Sequence, residues 1–117
     1  SVGSEKNLLA LQIRTLCEHL GGQYTESGTY PAWEYKQESK LRDVMVAVYE
    51  ELYGGKPKLD VIHAGVECGL FMDKMKDLDC VSYGPQMYDI HTPNERLHVD
   101  SVQRTWEYTL EILKRLK

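Results

Sequence analysis

The stretch from residue 59 to residue 83 constrains the fold of this chain more than any other segment. Residues 59–63 and 80–83 are short apolar runs typical of strands, and the run between them, 65–72, is typical of a short helix. A strand, a helix and a strand within about 25 residues indicate two parallel strands joined by a helical crossover. The sequence therefore predicts an α/β fold built on a parallel pair of strands.

Longer helices are predicted on both sides of this unit. Residues 4–20 form a helix that ends at a glycine pair, and a second helix begins at Ser39 and ends at Gly54. The last helix begins with a capping-box-like pair, Asp100 and Gln103. The apolar positions expected to face the core are Leu9, Ile13, Leu16, Cys17 and Leu20, then Leu41, Val44, Met45, Val48 and Leu52, and finally Val102, Trp106, Leu110, Leu113 and Leu116.

The polar segment 34–38 is the best candidate for a domain boundary. It follows residues 23–33, which are rich in Tyr and Thr and predict a strand ending near Pro31. The expected division is therefore 1–34, a helix plus a strand, and 39–117, the α/β unit. A parallel pair of strands needs cover on both faces and both edges, so the chain looks like part of something larger.

Composition excludes several classes of protein. The chain has 117 residues, enough for one modest domain, and a net charge of −4 that argues against binding nucleic acid. No apolar run approaches the roughly 18 residues of a membrane span, and the N-terminus lacks a signal-peptide pattern. The three cysteines have no C-x-x-C spacing, which favours a reduced, cytoplasmic setting over a disulfide framework.

His91 is the first candidate for a functional side chain. It lies in a polar loop beyond the predicted strand 80–83, where ligands bind in open α/β sheets. Gly84 and Pro85 turn the chain off the strand, and Pro93 stiffens the loop just after the histidine. Such a loop can hold an imidazole in the single orientation that a metal site requires. An ordinary surface histidine is the alternative interpretation.

The loop at residues 62–69 is the second candidate. It leaves the other predicted strand and enters a helix, and the free N–H groups of a helix N-terminus bind carboxylates. The segment from Gly65 to Glu67 could therefore hold a substrate carboxylate, whereas the alternative is a tight turn whose glycines serve packing. Both candidate loops leave the same ends of two neighbouring predicted strands, which places them together.

Three strings carry a resemblance to a known family. Residues 61–71 read Val-Ile-His-Ala-Gly-Val-Glu-Cys-Gly-Leu-Phe, residues 81–85 read Val-Ser-Tyr-Gly-Pro, and residues 91–96 read His-Thr-Pro-Asn-Glu-Arg. They resemble the aminoacyl-histidine dipeptidases, also called Xaa-His dipeptidases, of the zinc-peptidase superfamily that includes carnosinases and aminoacylases. Residues 30–33 and the helix around Trp106 are also similar, so the resemblance covers nearly the whole chain.

The resemblance implies a fold and a chemistry. Residues 1–34 would be the last helix and strand of a ferredoxin-like lid domain, and residues 39–117 the C-terminal segment of an α/β catalytic domain. The family uses two bridged zinc ions, a metal-activated water and a glutamate general base. Its last metal ligand carries over to His91, and a substrate-binding position carries over to Gly65. The other ligands and the base belong to an N-terminal half of these enzymes that this chain does not contain. No catalytic residue is therefore expected here.

The expected function follows from the presence of one metal ligand and the absence of the others. The chain is expected to be a C-terminal fragment of a dipeptidase that hydrolyses Xaa-His dipeptides, inactive alone and without stably bound zinc. Surfaces left uncovered are expected to drive formation of a homo-oligomer. Two alternatives stay open, namely a fragment of another amidohydrolase or aminopeptidase of the same superfamily, and a non-catalytic interaction module.

Overall fold

The computed structural model describes residues 2–61 and 67–117. In chain order its elements are α1 (Val2–His19), α2 (Lys40–Tyr53), α3 (Glu67–Lys74), β1 (Met87–Tyr88), β2 (Arg96–Leu97) and α4 (Val99–Arg115). The described part of the chain is thus rich in helix, and its sheet is one antiparallel pair, with Met87 opposite Leu97. None of the helices in the described ranges is long and apolar enough to cross a membrane.

The chain divides into two compact units. The first comprises residues 1–37 and 61–78, and the second comprises residues 38–60 and 79–117. The lid assignment and the predicted division into 1–34 and 39–117 stay predictions.

In the first unit, α1 is held at its N-terminus by a carboxylate. Glu34 accepts hydrogen bonds from the backbone N–H groups of Val2 and Gly3, at 3.0 and 2.9 Å. These N–H groups have no partner inside the helix, and negative charge is favourable at this end of the helix dipole. The helix ends before Gly21, whose φ of +81° suits glycine. The predicted helix at 4–20 is confirmed.

Apart from the half-buried Cys17, the face of α1 expected in the core is exposed. No residue of the helix is buried, and Leu16 and Leu20 are 60% and 75% exposed. In the same unit, α3 approaches the chain at Pro31 so closely that a Cβ on Gly69 would lie 2.9 Å from the Pro31 carbonyl oxygen. Helix α3 overlaps the predicted helix at 65–72, of which residues 65 and 66 lie outside the described residues.

In the second unit, α2 begins and ends where its sequence signals predict. The Ser39 hydroxyl accepts the Arg42 N–H at 3.0 Å and donates to Asp79 Oδ1 at 2.7 Å, while Asp79 Oδ2 accepts the Leu41 N–H. At the other end, Gly54 adopts a φ of +70° and donates its N–H to the Glu50 carbonyl. Both predicted ends of this helix are confirmed.

The core of the second unit lies between α2 and α4. It consists of Met45 and Val48 from α2 with Tyr108 and Ile112 from α4, and Val48 is fully buried. The Tyr108 hydroxyl donates to the Met45 carbonyl at 2.7 Å. Burial, followed by the neighbouring phenols of three other tyrosines, raises the pKa of Tyr108 to about 12. A satisfied phenol in the core thus joins the two helices.

The predicted core face of α4 is wrong. The helix buries Ser101, Tyr108 and Ile112 instead, and leaves Trp106 and Leu113 58% and 55% exposed. Hydrogen bonds accompany this burial, because the Tyr108 hydroxyl donates to the Met45 carbonyl and the Ser101 hydroxyl accepts the Gln86 N–H. The predicted capping pair is also not used, since the N-cap of α4 is His98, two residues before Asp100, and it makes no side-chain cap bond.

The predicted strands do not form ladders in the described residues. Residues 23–33, 59–61 and 80–83 lie in irregular backbone, and residues 62 and 63 fall outside the described ranges. A strand exists only where a partner satisfies its backbone groups, and the sequence of one segment does not supply that partner. The described part of the chain is therefore rich in helix, and its sheet is a small antiparallel hairpin.

Candidate metal-ligand loop

His91 lies in the loop that connects β1 and β2. The ladder fixes both ends of the loop, and the His98 N–H extends the pairing by donating to the Gln86 carbonyl at 2.9 Å. The Ser101 hydroxyl accepts the Gln86 N–H at 2.9 Å, which ties the base of the hairpin to the first turn of α4. The loop therefore projects from a hairpin that is anchored on the second unit.

The backbone of this loop takes an uncommon conformation at two positions. Asp89 and His91 have φ values of +52° and +64°, in the left-handed region that residues with a side chain rarely adopt. Each such residue costs about 1–2 kcal/mol relative to ordinary backbone, somewhat less for a short polar side chain. The surrounding contacts must offset this strain for the loop to hold its shape.

Several hydrogen bonds supply that offset. Glu95 Oε2 accepts the His91 N–H at 2.7 Å, and the Asp89 carbonyl accepts both the N–H and the hydroxyl of Thr92, at 3.2 and 2.7 Å. The Thr92 carbonyl in turn accepts the Glu95 N–H at 3.1 Å. Arg96 donates to Asp89 Oδ2 at 2.8 Å. A short network thus fixes the backbone on both sides of the histidine.

The imidazole of His91 is exposed on the surface of this network. Beside it, Asp89, Pro93, Asn94, Glu95 and Arg96 line a shallow, open depression. In the described residues no three side chains of His, Cys, Asp or Glu lie close enough together to hold a metal ion. Since zinc requires three or four protein ligands, the described donors do not fit a complete metal site. They offer one exposed imidazole.

The second predicted site cannot be placed. Gly65, the expected substrate-binding position, lies outside the described residues, as does His63 in the same loop. Of the two candidate residues, the structure therefore places His91. Both assignments stay predictions.

Two features near the loop were missed by sequence reasoning. Glu95 was quoted only as part of a motif, although its carboxylate bonds the backbone of His91. His98, at the N-cap of α4, has its Nδ1 buried without a hydrogen-bond partner within the described part of the chain. The four-residue spacing between His91 and Glu95 was the one sequence signal for the role of Glu95. Nothing in the sequence marks the buried nitrogen of His98.

Comparison with known proteins identifies the family. Residues 19–115 match the peptidase family M20/M25/M40. Over 115 residues the chain is 31% identical to the cytosol non-specific dipeptidase of Escherichia coli (strain K12), an alignment that covers 98% of this chain and 24% of that protein. The crystal structure of aminoacylhistidine dipeptidase from Vibrio alginolyticus is similar with a TM-score of 0.79 and 35% identity, covering 96% of this chain and 23% of that one.

The resemblance inferred from the motifs is thereby confirmed. The chain spans about a quarter of the length of these relatives, although nearly all of its own residues align with them. Because the family match extends over most of its length, this chain belongs to the peptidase family M20/M25/M40.

Proposed function

We propose that this chain is the C-terminal part of a metal-dependent dipeptidase and is inactive alone. The observation that carries the proposal is the coverage: the chain aligns almost end to end with relatives of which it spans 24% and 23%. The described residues include one exposed candidate ligand, His91, and we assign the other ligands to the rest of the enzyme.

The uncovered apolar surface supports an incomplete unit. On α4, Val99, Trp106 and Leu113 are 77%, 58% and 55% exposed at helical spacing, opposite the face that packs on α2. Exposed apolar patches of this kind mark surfaces that another polypeptide covers. In the parent enzyme we propose that the preceding part of the same chain covers this face. In the isolated chain a second copy takes its place, which gives the expected homo-oligomer.

His91 is proposed as one metal ligand of the parent, with zinc as the metal. The support is geometric, since the loop holds the imidazole at the surface on a fixed backbone. Two zinc ions would supply a water of lowered pKa when bound in the parent. The remaining ligands and the general base would come from the part of the parent outside this chain. Gly65 is proposed to bind substrate in that assembly.

The substrate class is proposed to be Xaa-His dipeptides, and the setting cytoplasmic. The structural relative is named as an aminoacylhistidine dipeptidase, and the E. coli relative as a cytosol non-specific dipeptidase. The two names differ in the range of dipeptides they cover. The proposal is tested on the complete parent enzyme, with a panel in which Xaa-His dipeptides compete with dipeptides that lack histidine. Equal kcat/KM across the panel would favour the non-specific activity.

Zinc calorimetry on the isolated chain tests the half-site directly. We expect no binding, or weak binding that His91→Ala leaves unchanged, because one imidazole is too few ligands. The matched control is His19→Ala, which removes an exposed histidine from α1. Tight stoichiometric binding that His91→Ala abolishes and His19→Ala keeps would contradict the half-site and require a complete metal centre in this chain.

A non-catalytic interaction module is the second candidate, and the exposed face of α4 favours it. Light scattering with Trp106→Ser tests whether this face drives self-association of the isolated chain. We expect the wild-type chain to self-associate and the variant to shift toward monomer, with Tyr30→Phe as an exposed aromatic control. A wild-type chain that stays strictly monomeric at high concentration would refute the self-association. A function that survives chelation of metal would favour the module.

A further inference from the structure

We propose that Glu95 is a positioning residue, whose carboxylate holds the backbone of His91 in its left-handed conformation and so directs the imidazole. The inference rests on the proposed function for its meaning, since a fixed imidazole matters because His91 is a ligand in the parent. Its structural content stands independently, because it concerns one hydrogen bond and one backbone angle.

The hydrogen bond links the two features. Glu95 Oε2 lies 2.7 Å from the His91 backbone nitrogen, and His91 has a φ of +64°. A left-handed residue turns its N–H in a direction that ordinary backbone would not, and here the carboxylate receives it. The acceptor carries a charge, which makes this bond stronger than a neutral one. The side chain four residues along thus stabilises the conformation that the histidine itself disfavours.

The neighbouring ion pair is the weaker contributor. Arg96 reaches Asp89 Oδ2 at 2.8 Å, but the two side chains are 69% and 49% exposed. Water and salt screen such a pair, so its net effect is small. The guanidinium also lies 5.6 Å from the centre of the Tyr88 ring, where it packs against β1 rather than against the histidine. Arg96 supports the hairpin, whereas Glu95 acts on His91 itself.

This arrangement has a consequence for a metal site. The direction of an imidazole is set first by the φ and ψ of its own residue, and then by the side-chain rotamer. Groups that hold a ligand in place affect metal affinity about 10–100-fold although they do not touch the metal. Most such groups act on the ring of a histidine. Here the carboxylate acts on the backbone and on neither ring nitrogen.

NMR on the isolated chain tests the inference without any metal. A strong intraresidue NOE between the amide proton and Hα marks a residue with positive φ. We expect this NOE at His91 in the wild type, its loss in Glu95→Ala, and its recovery in Glu95→Gln, which keeps an oxygen acceptor. The His91 amide should exchange with solvent about tenfold or more faster in Glu95→Ala. Glu107→Ala, an exposed carboxylate on α4, and Arg96→Ala should leave the NOE in place.

Two results would overturn the inference. One is a His91 NOE of unchanged strength in Glu95→Ala. The other is the joint loss of that NOE and of the cross-strand NOEs between Met87 and Leu97, because Glu95 would then hold the hairpin as a whole. Retained cross-strand NOEs with a lost His91 signature support the positioning role.

A hybrid enzyme carries the test to the metal. In it this chain replaces the quarter of the E. coli relative that aligns with it. We expect Glu95→Ala to weaken zinc binding by the hybrid about 10–100-fold and Glu95→Gln to restore part of it. Unchanged zinc affinity in a His91→Ala hybrid would remove the ligand role from the proposed function, while the NMR result on Glu95 would stand. Unchanged affinity in Glu95→Ala, with His91→Ala impaired, would refute the positioning role alone.

Discussion

Tyr108→Phe tests the account of the α2–α4 core. The substitution removes the hydroxyl that donates to the Met45 carbonyl at 2.7 Å and keeps the ring in place. A buried hydrogen bond contributes about 0.5–1.5 kcal/mol, and a buried acceptor left without its partner adds to the loss. The carbonyl also lies within α2, where backbone bonding satisfies part of its capacity. We therefore expect the free energy of unfolding to fall by about 1–2 kcal/mol.

Denaturant unfolding followed by tryptophan fluorescence measures this change. Each unit carries one tryptophan, Trp33 in the first and Trp106 in the second, so a Trp33→Phe background confines the signal to the unit that contains Tyr108. Tyr30→Phe, a change in an exposed phenol of the other unit, is the matched control. A loss below about 0.3 kcal/mol in Tyr108→Phe would refute the hydrogen bond as a stabilising contact.

The buried phenol of Tyr108 also makes the free energy of unfolding depend on pH. The pKa of Tyr108 is raised from 10.0 to about 12 because burial disfavours the phenolate. The folded state therefore binds the proton more tightly than the unfolded state, and this contribution to stability is complete below pH 10 and lost between pH 10 and about 12. Wild type should lose more stability than Tyr108→Phe over that window. Parallel pH profiles for the two proteins would show that the phenol is not buried as described.

Two further substitutions test the local signals of each unit. Ser39→Ala removes the N-cap bond of α2 and should lower the free energy of unfolding of the second unit by about 1–2 kcal/mol, whereas the exposed Ser82→Ala should not change it measurably. Gly69→Ala places a Cβ 2.9 Å from the Pro31 carbonyl oxygen and should destabilise the first unit, although alanine favours helix by about 1 kcal/mol. Gly55→Ala meets open space and serves as its control. If unfolding followed by Trp33 fluorescence shows that Gly69→Ala is more stable than wild type, the backbone at Pro31 has shifted to make room for the new Cβ.

The helices were predictable where their signals are local. Ser39 and Gly54 mark the ends of α2 because capping and left-handed backbone depend on single residues and their immediate neighbours. The buried face of α4 was not predictable, because apolar residues occur on two sides of the helix. Which side is buried depends on Tyr108 finding a carbonyl on α2, far away in sequence.

The strands and the site show the same limit. Apolar runs such as 80–83 predict strands, yet a ladder needs a partner that the run itself does not specify. The hairpin around His91 lacks the glycines that usually mark a tight turn, since Asp89 and His91 adopt positive φ themselves. The motif pointed to His91 as a ligand, a role that stays a prediction. The role of Glu95 became visible only with its hydrogen bond.

Dipeptidase activity of the hybrid enzyme tests the central claim most directly. The isolated chain, the hybrid and the hybrid with His91→Ala are assayed on an Xaa-His dipeptide, with and without a chelator, after circular dichroism confirms that each is folded. The account predicts metal-dependent hydrolysis by the hybrid, its loss in the His91→Ala hybrid, and none by the isolated chain. Metal-dependent hydrolysis by the isolated chain, or full activity in a folded His91→Ala hybrid, would contradict it.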